Sequence, residues 1–125
     1  MVVDPYWRPP HGAMPYPSVP VPSARRGPLK GLRLGVKDVF HVAGYPTSMG
    51  QPVLAARLGV ASKTAAVVAR LLEGGARWVG KTITDELAFS MTGDNVHYGA
   101  PINGAAAKRI TGGSSTGSAS ALSHG

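Results

Sequence analysis

The chain has 125 residues, 43% of them hydrophobic, and a formal net charge of +7. That length bounds it to one domain with a core large enough to fold. Its 13 basic side chains are scattered from Arg8 to Arg109 and adjoin only at Arg25–Arg26 and Lys108–Arg109, which argues against a nucleic-acid groove. Cysteine is absent, so there is neither a disulfide framework nor a thiolate metal site, and no apolar run reaches the roughly 18–20 residues that cross a bilayer. With no apolar signal core near Asp4, the expected compartment is the cytoplasm.

Residues 1–28 hold eight prolines, interleaved with Tyr6, Trp7 and Tyr16. Each proline fixes φ and biases the preceding residue to an extended shape. The segment reads as a Pro-rich arm that packs aromatics on a body or is partly disordered. A ligand for a proline-recognition module fits less well, because no P-x-x-P cluster stands free of apolar neighbours. Residues 29–125 form the second unit.

Leu32, Leu34, Val36 and then Val39–Phe40 read as a strand. Gly44 to Thr47 is a turn, and Met49 to Gly59 is ambiguous. Ser62 is the expected N-cap of a helix whose Ala65, Val68, Leu71 and Leu72 share one face, with Lys63, Arg70 and Glu73 away from it. Gly74–Gly75 ends that helix. Arg77 to Gly80 is a short strand, so strand, helix and strand suggest a βαβ-type unit with parallel pairing. Thr84 caps a short helix, Asp85–Phe89, with two acids at the positive end of its dipole. Thr92 to Gly117 is a long loop, and Ala119 begins another helix. The fold class is α/β.

Two features carry chemistry. Lys37 lies among apolar neighbours in the first strand. A lysine there either snorkels to water, or is desolvated and able to lose its proton and act as a base. Gly112-Gly113-Ser114-Ser115-Thr116-Gly117-Ser118-Ala119 packs hydroxyls between glycines ahead of a helix start. Its amides could hold an anion or a developing oxyanion. A nucleotide P-loop is disfavoured, because Ser118 stands where that motif needs lysine. The bland alternative is a flexible linker. His11, His41, His97 and His124 show no metal-ligand spacing. His97 lies in the long loop and could line a site, although a surface or locally hydrogen-bonded role suits it better. Asp85 and Glu86 diverge on a helix and read as dipole partners, not as a catalytic carboxylate pair.

Gly35-Val36-Lys37-Asp38 with Gly44 and Thr47, Leu72-Glu73-Gly74-Gly75-Ala76, Gly80-Lys81-Thr82 with Thr84-Asp85-Glu86, and Gly112-Gly113-Ser114-Ser115 with Gly117-Ser118-Ala119 occur in the order seen in the amidase-signature family, which residues 28–125 resemble. Asp94 to Pro101 resembles the branch containing indole-3-acetamide hydrolase. The resemblance implies the N-terminal part of a mixed sheet flanked by helices, and a Ser–cis-Ser–Lys triad that hydrolyses a linear amide. It implies Lys37 as the base and Ser114 as the bridging serine, with a cis peptide bond before it. Met91, Thr92 and Gly113 would line the substrate. It implies no cofactor or metal and a small-molecule amide as partner; the scattered charge and the lack of a long apolar run predict neither nucleic acid nor membrane as a partner.

Two positions depart from the family pattern. Thr116 replaces a glycine or serine, and Gly104 replaces a frequent proline, with a looser loop expected. The nucleophilic serine of the family lies about two dozen residues past the bridging one, so it is expected beyond Gly125. The chain then reads as a truncated amidase domain, inactive alone, whose open strand edges favour a homo-oligomer. The alternatives are the A subunit of a tRNA-dependent amidotransferase and a degenerate, non-catalytic amidase fragment acting as a binding module.

Overall fold

The computed structural model describes residues 19–125. The Pro-rich arm as far as Ser18, with Tyr6, Trp7, Tyr16 and His11, lies outside the described residues. Two parallel strands form the centre: β1 (Arg33–Lys37) and β2 (Arg77–Thr82). Between them in sequence come α1 (Pro52–Leu58) and α2 (Ala66–Glu73), and after them a 3-10 turn (Glu86–Ala88) and α3 (Thr116–Ser123). The fold is α/β with the expected parallel pairing.

Pairing shifts between Leu34 and Gly35. Leu34 stands opposite Trp78, while Gly35 stands opposite Gly80, so Val79 is an extra residue in β2. A bulge of this kind resets which side chains face which way. Trp78 and Lys81, three apart, come to share one face with Val36. Lys37 and its partner Thr82 take the other.

The first face carries the core: Val21, Val36, Val42, Tyr45, Val68, Leu72 and Trp78. The start of the described chain completes it. The Trp78 Nε1 and Tyr45 hydroxyl groups donate to the Val19 carbonyl at 3.0 and 2.7 Å, and the Ala24 amide donates to the Leu72 carbonyl. These bonds satisfy the polar ends of two aromatics that would otherwise be buried unpaired. Against the opposite face, Ser118 of α3 meets Thr82, hydroxyl to hydroxyl, at 2.7 Å.

Several local expectations change. β1 stops at Lys37, because the Val39 and Phe40 amides turn back onto the Lys37 carbonyl, so Val39–Phe40 is not strand. Ser62 does not cap α2. The helix starts at Ala66 behind Ala65, which makes no side-chain cap, and the Thr64 hydroxyl accepts from the Ala43 amide instead. The ambiguous segment holds α1. Gln51 caps it by accepting from the Val53 amide at 2.7 Å, and Pro52 sits in the first turn where no donor is needed. Thr84 caps nothing, because Leu87 and Ala88 have φ of +52° and +56° and permit only a 3-10 turn.

Candidate active site

Four backbone-directed contacts shape the serine loop. The Gly113 amide donates to the Met91 carbonyl, the Asp85 amide to the Ser114 carbonyl, and the Gly117 amide to the Ile83 carbonyl, at 3.0–3.1 Å. The Thr116 hydroxyl, fully buried, donates to the Gly93 carbonyl at 3.1 Å. Thr116 is therefore a tie between the loop and residue 93, a role glycine could not fill. The loop is held along residues 83–93 and is not a flexible linker. The Gly113–Ser114 peptide bond is cis, as the family resemblance implies.

Lys37 projects from the end of β1 toward this loop. Its Nζ donates to Ser114 Oγ at 2.6 Å, a close side-chain contact across 77 residues of sequence. Both residues are only partly buried, so the pair still reaches solvent. The arrangement joins an amine to a hydroxyl that can pass a proton onward, the geometry needed to activate a second hydroxyl. Gly113 is exposed beside them, and Met91, bonded to it through the backbone, leaves its side chain 84% exposed. Thr92 is exposed as well, its amide bonded to Ser90 Oγ.

Behind the loop lies a carboxylate that sequence reasoning misplaced. Asp85 is not a surface dipole partner; it is fully buried and accepts from the Gly93 amide at 3.2 Å. A Cβ on Gly113 would sit 2.2 Å from Asp85 Oδ2, closer than any real contact. We expect Gly113→Ala to destabilise the chain by about 1–3 kcal/mol, the usual cost of overpacking a tight site. Urea unfolding checks this, and a parent-like midpoint would show that the carboxylate can move away. Gly104 is likewise tight, not loose. Its amide donates to Ser123 Oγ at 2.8 Å, and a Cβ there would meet the Ser123 carbonyl at 2.7 Å.

A second lysine also went unassigned. Lys81 is 2% exposed on the core face of β2. Its Nζ meets Asp38 Oδ1 at 2.5 Å, the Pro46 carbonyl at 2.9 Å and Thr47 Oγ1 at 2.8 Å. Asp38 also accepts from the Ser48 amide at 3.1 Å and from the Ser48 hydroxyl. Burial pushes the Lys81 ammonium below the ordinary lysine range, while the Asp38 hydrogen bond and charge pull it back up. The signal available in sequence was the pairing of two charges with apolar neighbours, Asp38 and Lys81. His41 Nδ1 reaches Thr47 Oγ1 at 3.0 Å, and His97 Nε2 reaches Glu86 Oε1 at 2.8 Å, so both are locally bonded. Among the described residues, no group of three His, Asp or Glu is placed to hold a metal.

A sequence model of the family described as Amidase matches residues 18–125. The chain belongs to the amidase family. Its relatives include the chloroplastic outer envelope protein 64 of Arabidopsis thaliana, 47% identical over 85% of this chain and 18% of that protein. Amidase 1 of Oryza sativa is 44% identical over 83% of this chain and 24% of its own length. Among solved structures, the A subunit of the Glutamyl-tRNA(Gln) amidotransferase of Thermotoga maritima superposes with a TM-score of 0.76 at 27% identity, over 88% of this chain and 24% of that one. The chain thus spans about a fifth of the length of these relatives. The cytoplasmic expectation is corrected by the same comparison. The Arabidopsis relative is named for the chloroplast outer envelope, and another relative of that name, 45% identical, for the mitochondrial one. The composition behind the expectation does not distinguish a cytoplasmic protein from one on an organelle surface.

Proposed function

We propose that this chain supplies the base and the bridging serine of an amidohydrolase acting on a small linear amide. The observation that carries this reading is the 2.6 Å contact between Lys37 Nζ and Ser114 Oγ. Lys37, in its neutral form, takes a proton from the Ser114 hydroxyl, which takes one from a nucleophilic serine supplied outside these 125 residues. That serine attacks the amide carbon and forms an acyl-enzyme. The proton returns along the same path to the departing amine, and water then cleaves the ester. Met91, Thr92 and Gly113 flank the substrate. The exposure of all three supports this, as does the backbone bond that ties Met91 to Gly113, the residue before Ser114.

The test is a graft. Residues 19–125 replace the aligned segment of the rice Amidase 1, and hydrolysis of an aryl amide is followed. Turnover well above that of a graft bearing Ser114→Ala is the expected result. A folded graft without turnover, beside an active rice parent, would sink the reading.

A further inference from the structure

We infer that the buried Lys81–Asp38 pair is a positioning device that sets the register of β1 and thereby holds Lys37 on Ser114. The role of Lys37 as base rests on the function proposed above; the register argument does not. It begins with the bulge. Val79 is the extra residue that lets the pairing slip by one, and a further slip of one would turn every later side chain of β1 to the wrong face. Val36 or Asp38 would then point at the serine loop in place of Lys37. Backbone bonding alone does not forbid this, since each amide would find another carbonyl.

The ion pair does forbid it. In the observed register Lys81 stands opposite Val36, and Asp38, two residues on along the same face, closes on it at 2.5 Å. All three ammonium donors have an acceptor: Asp38 Oδ1, the Pro46 carbonyl and Thr47 Oγ1. The Asp38 carboxylate is 1% exposed and takes Ser48 as a further donor. In a slipped register two buried charges would lose each other, a far larger penalty than a lost neutral contact. A single buried polar contact that fixes register is the best-attested use of such groups. Asp38 directly follows Lys37, so anchoring it on one face sends Lys37 to the other. The Asp38 amide also bonds the Thr82 carbonyl at 2.9 Å, and the Met49 amide bonds the Asp38 carbonyl at 3.0 Å, tying the anchor to both β2 and the turn. The Lys81 ammonium is held by Asp38, Pro46 and Thr47, on the face of the sheet opposite Lys37, so the pair acts on the serine loop through the register of β1.

The experiment is a labelling cycle on the whole 125-residue chain, which needs no turnover. Trace acetylation by acetic anhydride is read by mass spectrometry at Lys30, Lys37, Lys63 and Lys108. In the parent background, Ser114→Ala should raise Lys37 labelling at least threefold by removing its partner. In the Asp38→Asn/Lys81→Met background, which leaves no unpaired charge, Lys37 should already label at the raised rate and Ser114→Ala should add nothing. The three reference lysines should not change in either background. Additive effects of the two changes, or parent-like Lys37 labelling without the pair, would overturn the proposal, because a pair that only adds stability has no coupling to Ser114. Should the double variant unfold and label at every lysine, Thr47→Val decides. It keeps both charges and removes one ammonium acceptor, and it should raise Lys37 labelling about twofold; an unchanged rate overturns the proposal. An inactive graft together with this coupling would sink the proposed function and leave the positioning role standing.

Discussion

Lys37→Ala in the rice graft is expected to lower kcat/KM by about 10²–10⁴-fold, the usual contribution of a positioned acid–base group. Lys37→Arg is expected not to rescue it. Arginine stays charged at any working pH, so it cannot take the Ser114 proton, and its planar head is broader than the ammonium held 2.6 Å from Ser114 Oγ. Ser114→Ala should be comparably severe, since it breaks the proton path while leaving the amine in place. Lys63→Ala is the control, because Lys63 is exposed ahead of α2. Steady-state kinetics on one aryl amide, with folding checked by circular dichroism, give the comparison. If Lys37→Ala stays within about tenfold of the graft, a barrier change of only about 1.4 kcal/mol, the amine is not the base.

The second large effect is on stability. Lys81→Met should cost about 3–5 kcal/mol, because it strands the Asp38 carboxylate in the core without a cation. That is a large part of the roughly 5–15 kcal/mol that holds a domain folded. Asp38→Asn/Lys81→Met should regain much of the loss, since replacing both charges by neutral groups removes the burial penalty as well as the attraction. Urea unfolding of the two variants and the parent measures this. A Lys81→Met chain within about 1 kcal/mol of the parent would mean that water reaches the pair and screens it.

Local chemistry was legible wherever short-range pattern decides structure. The apolar spacing of Val68 and Leu72 marked the buried face of α2, and Gly74–Gly75 marked its end. Helix starts were harder. Ser62 has the chemistry of a cap, but its neighbour Thr64 is drawn to the Ala43 amide, a partner 21 residues away that no local rule contains. The Gly-Gly-Ser-Ser loop and Lys37 stood out by composition. Their approach to 2.6 Å depends on parallel pairing that carries residue 37 to residue 82 and α3 back across the sheet.

The sequence by itself therefore determined the α/β class, the βαβ order and the family. Those follow from periodicity, glycine placement and motif spacing, all of which act within a few residues. Only the tertiary structure decided which lysine faces the serine loop. Lys37 and Lys81 both lie in apolar strands, and a period of two cannot put Trp78 and Lys81, three apart, on one face. The bulge at Val79 does so. It sends Lys81 into the core to meet Asp38 and leaves Lys37 on the opposite face with Ser114. The burial of Asp85 was decided in the same way. Its surroundings are Gly93 and Gly113, brought there by the packing of two loops, and the lack of a side chain at Gly113 makes room for the carboxylate.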